Sequence, residues 1–251
     1  LGFSLAELLV VVAIIGIIIA IVVPVLKGAR AATARVREAA AMRQVLFAWT
    51  SYATDSGGAL LPGFKTGLPV RQDNGEPIPP DAYGSAPQIA ARYPWRLASY
   101  LGHDFRGLYG GEQQETLDQF QGGDPQQYYY FASLYPSFGL NSVWVGGDEQ
   151  RYGFLPTTLP NGSVNPLSGF YVTRLSGVKH PERLTVFASA RTTATDSSLI
   201  VEGYFRIESP LFAANQATTW GAEYDPANPA SWGNLSARLG DVLVGTVDGG
   251  V

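Results

Sequence analysis

The sequence predicts an α+β chain: a long N-terminal α-helix packed on a mostly antiparallel β-sheet domain with loop insertions. Three observations predict it. Nineteen residues, Leu8 to Leu26, carry no charge. Met42, Val45, Leu46, Trp49, Tyr52 and Ala53 then recur at helical spacing, on one face. After residue 57 the chain is dense in glycine and proline, broken by short β-branched and aromatic runs.

The helix is expected from Phe3 to about Ser56, with "DSGG" at 55–58 ending it. Its apolar half, 3–26, includes the uncharged run, which would span about 28 Å at roughly 1.5 Å per residue. A bilayer core is about 30 Å thick. Its amphipathic half, 27–56, carries seven alanines between Ala29 and Ala41, which favour helix and allow close neighbours. No globular domain of this size buries so long a helix, so its first half must sit in lipid or among copies of itself. The second unit, 57–251, is expected to be a globular β-rich domain. Within it, "PWRLASYL" at Pro94–Leu101 is a helical candidate and 68–88 a long surface loop. The expected strands are 128–131, 170–175, 184–190, 199–207 and 242–247.

Composition narrows the functions. Charged residues make up only 15% of the chain, against about 25% in ordinary soluble domains. With no cysteine, no disulfide holds the fold. The net charge of −4 is unevenly spread. Lys27, Arg30, Arg35, Arg37 and Arg43 face a single acid, Glu38, giving residues 27–43 a net +4, whereas residues 44–251 carry −7. The acidic bulk argues against a nucleic-acid partner, and the basic stretch suits a helix face beside a membrane or acidic neighbours.

Glu7 stands at the mouth of the apolar run. A secretory signal is disfavoured because its apolar core runs only about 7–15 residues. A plain membrane anchor gains nothing from the acid, since a charge at mid-bilayer costs about 2.5–3.5 kcal/mol on insertion scales. At the edge the cost is smaller, and a helix N-terminus favours a negative charge. Glu7 becomes useful where a neighbouring chain supplies a cation in an apolar setting. Further along, Pro24 removes a backbone donor and Gly16 adds flexibility eight residues earlier.

Gly2-Phe3-Ser4-Leu5-Ala6-Glu7-Leu8-Leu9-Val10 resembles the G-F-[ST]-L-x-E-[LV] start of type IV prepilins and type II secretion pseudopilins. The resemblance implies a pilin-like fold and a structural, non-enzymatic role. It implies that a prepilin peptidase cuts between Gly2 and Phe3 and that the new amine of Phe3 is methylated. Glu7 becomes the fifth mature residue and pairs with the N-terminal amine of an adjacent subunit. The stretch between Gly16 and Pro24 would unwind as the subunit enters a filament. The implied assembly residues are therefore Phe3, Glu7, Gly16 and Pro24. The implied partners are further copies of the chain, the peptidase, an inner-membrane assembly machine, and the membrane itself before assembly. The implied location is the inner membrane first, then an extracellular or periplasmic filament.

"QVLFAWTSYATDSGGALLP", "PWRLASYLG", "YYYFASLYPSFGLNS" and "ERLTVFASA" resemble segments of a large prepilin-like group from planctomycete- and verrucomicrobium-type bacteria. That group often ends in a histidine, nine residues and Asp-Gly. Here Asp248-Gly249 is present, but Arg238 stands where the histidine would be. Two other functions stay open: a minor pseudopilin that binds secretion substrates, and a membrane-anchored binding module.

No catalytic constellation stands out. The zinc-protease, phosphate-loop and serine-elbow motifs are missing, as is any cysteine nucleophile. His103 and His180 sit in turn-rich contexts and read as surface or hydrogen-bonded histidines. No cofactor is expected. The acids could bind calcium through oxygen ligands, with Asp241 and Asp248 as candidate donors, although no loop has EF-hand spacing. Asn161-Gly162-Ser163 and Asn234-Leu235-Ser236 match glycan acceptor triplets. Tyr128–Tyr130 read as core or subunit interface.

Overall fold

The computed structural model describes residues 4–68, 86–110, 112–123, 125–150, 158–164, 171–193, 199–208, 223–228, 232–237 and 241–251. The chain divides into two compact units, Leu1–Arg37 and Glu38–Val251, and helix α1 (Leu5–Asp55) contributes to both.

From Leu5 onward the first unit is helix. Its Leu8–Leu26 run is exposed throughout, and α1 is long and apolar enough to cross a membrane. Isoleucine and valine are mediocre helix formers in water. Away from water, however, only intrasegment hydrogen bonds satisfy the backbone, and helix is what an apolar run then adopts. The helix continues without interruption through Pro24.

In the second unit α1 becomes a core element. Met42, Val45, Leu46, Ala48, Trp49 and Ala53 are buried, and Tyr52 is half-buried. This is the predicted face, extended by Ala48. The helix stops at Asp55 because Gly57 (φ +62) and Gly58 (φ +86) turn the chain left-handed. The Gly58 N–H then reaches back to the Ala53 carbonyl at 2.7 Å, satisfying an otherwise orphaned acceptor.

After α1 come α2 (Ala86–Ala91), α3 (Tyr93–Leu97), α4 (Glu112–Gln121), α5 (Pro125–Leu134), β1 (Phe138–Leu140), β2 (Thr185–Ser189), β3 (Arg191–Thr193), β4 (Ile200–Glu202) and β5 (Val244–Thr246). Strands β1, β2 and β5 form one antiparallel sheet with β2 central, in the register Phe138↔Ser189, Leu140↔Phe187 and Ala188↔Val244. Strands β3 and β4 form a second antiparallel pair. The helix packs against the sheet at β5. A Cβ added to Gly245 would meet Leu46 Cδ1 at 2.8 Å and Met42 Sδ at 3.0 Å, so glycine is what lets the two layers approach. Tyr93 packs beside Phe187 with ring centroids 5.3 Å apart and donates its hydroxyl to the Phe138 carbonyl, which binds α3 to the same sheet.

The α+β class with antiparallel pairing matches the expectation, but the sheets are small. Strands expected at 184–190 and 242–247 are present as β2 and β5, and the helical candidate at Pro94–Leu101 is α3 followed by a 3₁₀ turn, Ala98–Leu101. The strand expected at 199–207 is shorter, ending before Gly203, whose φ of +103 breaks the extended backbone. Two strand expectations are corrected. Residues 128–131 lie in α5, where Trp95–Tyr129 and Tyr109–Phe131 ring contacts (centroids 4.8 and 6.0 Å apart) reward a helical presentation of the aromatics. Within 170–175, residue 170 lies outside the described residues. Val172 and Arg174 there make only single bridges, to Val145 and Ala59, before a 3₁₀ turn begins at Leu175. Of the expected loop 68–88, residues 69–85 lie outside the described residues and 86–88 belong to α2.

Candidate assembly site

The first turn of α1 is closed by two side chains. The Ser4 backbone N–H and hydroxyl each donate to Glu7 Oε2 at 2.8 Å, and the Glu7 N–H donates to Ser4 Oγ at 3.3 Å. This is a reciprocal capping box, in which an N-cap hydroxyl and an acid three residues later satisfy each other's backbone donors. Glu7 is thus held at the positive end of the helix. Ser4 is absent from the expected assembly residues, although the S-x-x-E spacing of Ser4-Leu5-Ala6-Glu7 is its sequence signal. Gly2 and Phe3 lie outside the described residues.

Gly16 and Pro24 are the weak points of the apolar segment. A methyl added at Gly16 would meet nothing within 4 Å, so no contact among the described residues requires glycine there. Relative to alanine it costs the helix about 1 kcal/mol. Pro24 has no N–H for the Ala20 carbonyl, one turn back.

Lys27, Arg30, Arg35 and Arg37 are exposed on the first unit, and Arg43 is exposed on the second. The one acid among them, Glu38, is 5% exposed and accepts a hydrogen bond from Ser189 Oγ at 3.4 Å. With that acid drawn into the domain, the exposed surface of residues 27–43 is more uniformly basic than the sequence count implies.

Elsewhere in the domain, buried charges are spent on structure. Arg206 Nη1 pairs with Asp148 Oδ2 at 3.1 Å, its Nη2 donates to Gln150 Oε1 at 2.7 Å, and its guanidinium stacks 4.5 Å from the centre of the Phe205 ring. Arg191 donates to the carbonyls of Asp225, Pro226 and Asn228. Arg96 donates to the Pro62 and Lys65 carbonyls, and burial pulls its pKa down to about 10, so it stays charged at neutral pH. His103 sits in a turn at φ +58, and the exposed His180 Nδ1 lies 3.6 Å from Glu182. Asp248 accepts from the Thr246 hydroxyl at 2.5 Å, which holds its carboxyl below the usual range and closes the C-terminal turn. Asp241 is exposed. Among the described residues, no group of three or more acids and histidines could hold a metal ion. Tyr128–Tyr130 lie on α5, half-buried against the core.

The chain matches no family model, no curated protein and no solved structure.

Proposed function

We propose that the chain is a structural subunit of a helical extracellular or periplasmic filament, of the type IV pilus or pseudopilus kind. The observation that carries this reading is the pairing of Glu7 with the exposed apolar run behind it. Between Leu8 and Leu26, 15 leucine, isoleucine and valine side chains are 43–67% exposed. Burying each is worth about 1.5–3 kcal/mol, so the segment requires a cover. A bilayer supplies one, and so do copies of the same helix. The acid at the mouth favours the copies, because a neighbour's N-terminal amine can then be neutralised where water is sparse. Coulomb attraction at 4 Å is about 1 kcal/mol in water and about 4 kcal/mol at an effective dielectric near 20.

In this reading a prepilin peptidase cuts after Gly2 and the amine of Phe3 is methylated. The subunit waits in the inner membrane until an assembly machine moves it into the filament. Gly16 and Pro24 loosen the helix between them as lipid is exchanged for neighbouring helices. The chain is structural and carries no catalysis.

The capping box favours a second reading, a membrane-anchored binding module, because it gives Glu7 a task within its own chain. Electron microscopy of material sheared from the cell surface, with mass spectrometry of its N-terminus, separates the two. The filament reading expects fibres of this protein beginning at a methylated Phe3. Protein found only as detergent-released monomers supports the anchor.

A further inference from the structure

The two glycan acceptor triplets are placed in opposite environments. Residues 158–164 form an exposed hairpin. Its ends bridge at Thr158↔Val164, and the Leu159 N–H donates to the Ser163 carbonyl at 2.8 Å. At the tip the Gly162 N–H closes a turn onto the Leu159 carbonyl at 2.8 Å, with Pro160 at its second position and Gly162 at φ +78. Among the described residues Asn161 is engaged through its oxygen alone: Oδ1 accepts from the Ser163 N–H at 3.0 Å and from the Ser163 hydroxyl at 2.7 Å. Its amide nitrogen has no partner among the described residues. Asn234 is 7% exposed, and both ends of its amide are used. Its Nδ2 donates to the Arg206 carbonyl at 2.9 Å and its Oδ1 accepts from the Glu208 N–H at 2.7 Å.

We propose that Asn161 is an N-glycan attachment site, that Ser163 is its positioning residue, and that Asn234 carries no sugar. The co-substrate is a saccharide linked to a polyprenyl diphosphate. Asn161 Nδ2 forms a C–N bond to the anomeric carbon as the C–O bond to the diphosphate breaks. The diphosphate leaves with the electron pair, and the amide gives up one proton to a base of the transferase. The Ser163 hydroxyl, bonded to Oδ1, holds the amide in the hairpin with its nitrogen free to attack. The inference rests on the filament reading in one respect: the globular unit must lie on the outer side of the membrane, where such a transferase works.

Tryptic digestion separates the two triplets, because Asn161 falls in peptide 152–174 and Asn234 in peptide 207–238. Full-length protein from the membrane and surface fractions of the cells that make it naturally is digested, and both peptides are weighed and fragmented. Peptide 152–174 is expected to carry a sugar mass and to release sugar fragment ions, while peptide 207–238 has its plain mass. The sugar mass is expected to vanish in Asn161→Gln and Ser163→Ala and to survive in Ser163→Thr, with the near-UV circular dichroism of all three unchanged. A plain peptide 152–174 in the natural protein overturns the proposal, as does a sugar mass that persists in Asn161→Gln. Protease added to spheroplasts, from which the outer envelope has been opened, tells the two failures apart. A plain peptide from a domain that the protease reaches sinks the glycan alone, whereas a domain that it never reaches sinks outward display as well.

Discussion

A chain trimmed to residues 38–251 is expected to remain in the supernatant as a folded monomer, whereas the full chain fractionates with membranes or needs detergent. Every residue that α1 gives to the core, from Met42 to Ala53, lies in the second unit, and so do Glu38 and its bond to Ser189. None of the residues described in the first unit is buried. The trimmed helix also begins on Glu38, an acid at the new N-terminus, where the helix dipole favours it. Its near-UV spectrum, reporting buried Trp49 and Tyr93, is expected to match that of the full chain in detergent, with thermal midpoints within a few degrees. The check is high-speed centrifugation followed by thermal melts of both forms. A trimmed chain that aggregates with a collapsed near-UV signal would show that residues before Glu38 hold the domain together.

Asp148→Ala is expected to cause one of the largest losses of stability available to a single change. The side chains of Asp148 and Arg206 are 0% and 8% exposed. The carboxylate also accepts from the Ser142 hydroxyl at 3.0 Å and from the Gln150 N–H at 3.0 Å. Removing it leaves a buried guanidinium without its counter-charge, a change that costs about 3–5 kcal/mol. In a domain of this size 1 kcal/mol moves the midpoint by about 2–4 °C, so a fall of about 10 °C is expected. Asp148→Asn keeps an oxygen for Arg206 and Ser142 and is expected to lose less. Melts of the trimmed domain measure both, and a midpoint within 2 °C or so of the parent for Asp148→Ala would contradict the ion pair's role.

The long helix was legible because its signals are local. The uncharged run, the spacing of Met42 to Ala53 and the glycine stop each act within a turn or two. Strands β2 and β5 were legible for the same reason, as β-branched runs bounded by turn formers. Tyr128-Tyr129-Tyr130-Phe131 was misread because a run of aromatics has no period of its own. Its conformation is decided by Trp95 and Tyr109, more than 20 residues away. Glu7 stands out in the sequence as an acid at an apolar edge, while Ser4 carries a signal only through its three-residue spacing to that acid. The Asp148–Arg206 pair spans 58 residues and leaves no periodic trace in sequence.

The measurement closest to the central claim separates the two tasks open to Glu7. Glu7→Leu and Ser4→Ala are expressed beside the parent, and protein in the membrane fraction and protein in sheared surface fibres are quantified separately. If Glu7 serves a neighbour's amine, Glu7→Leu inserts at least as well as the parent, since an acid has left the apolar edge, yet yields no fibres or fewer than about one-tenth of the parent's. Ser4→Ala, losing only a helix cap worth about 1 kcal/mol, then keeps most of its fibres. Fibres at parental yield from Glu7→Leu would contradict the claim and leave the acid as the cap of a plain membrane anchor.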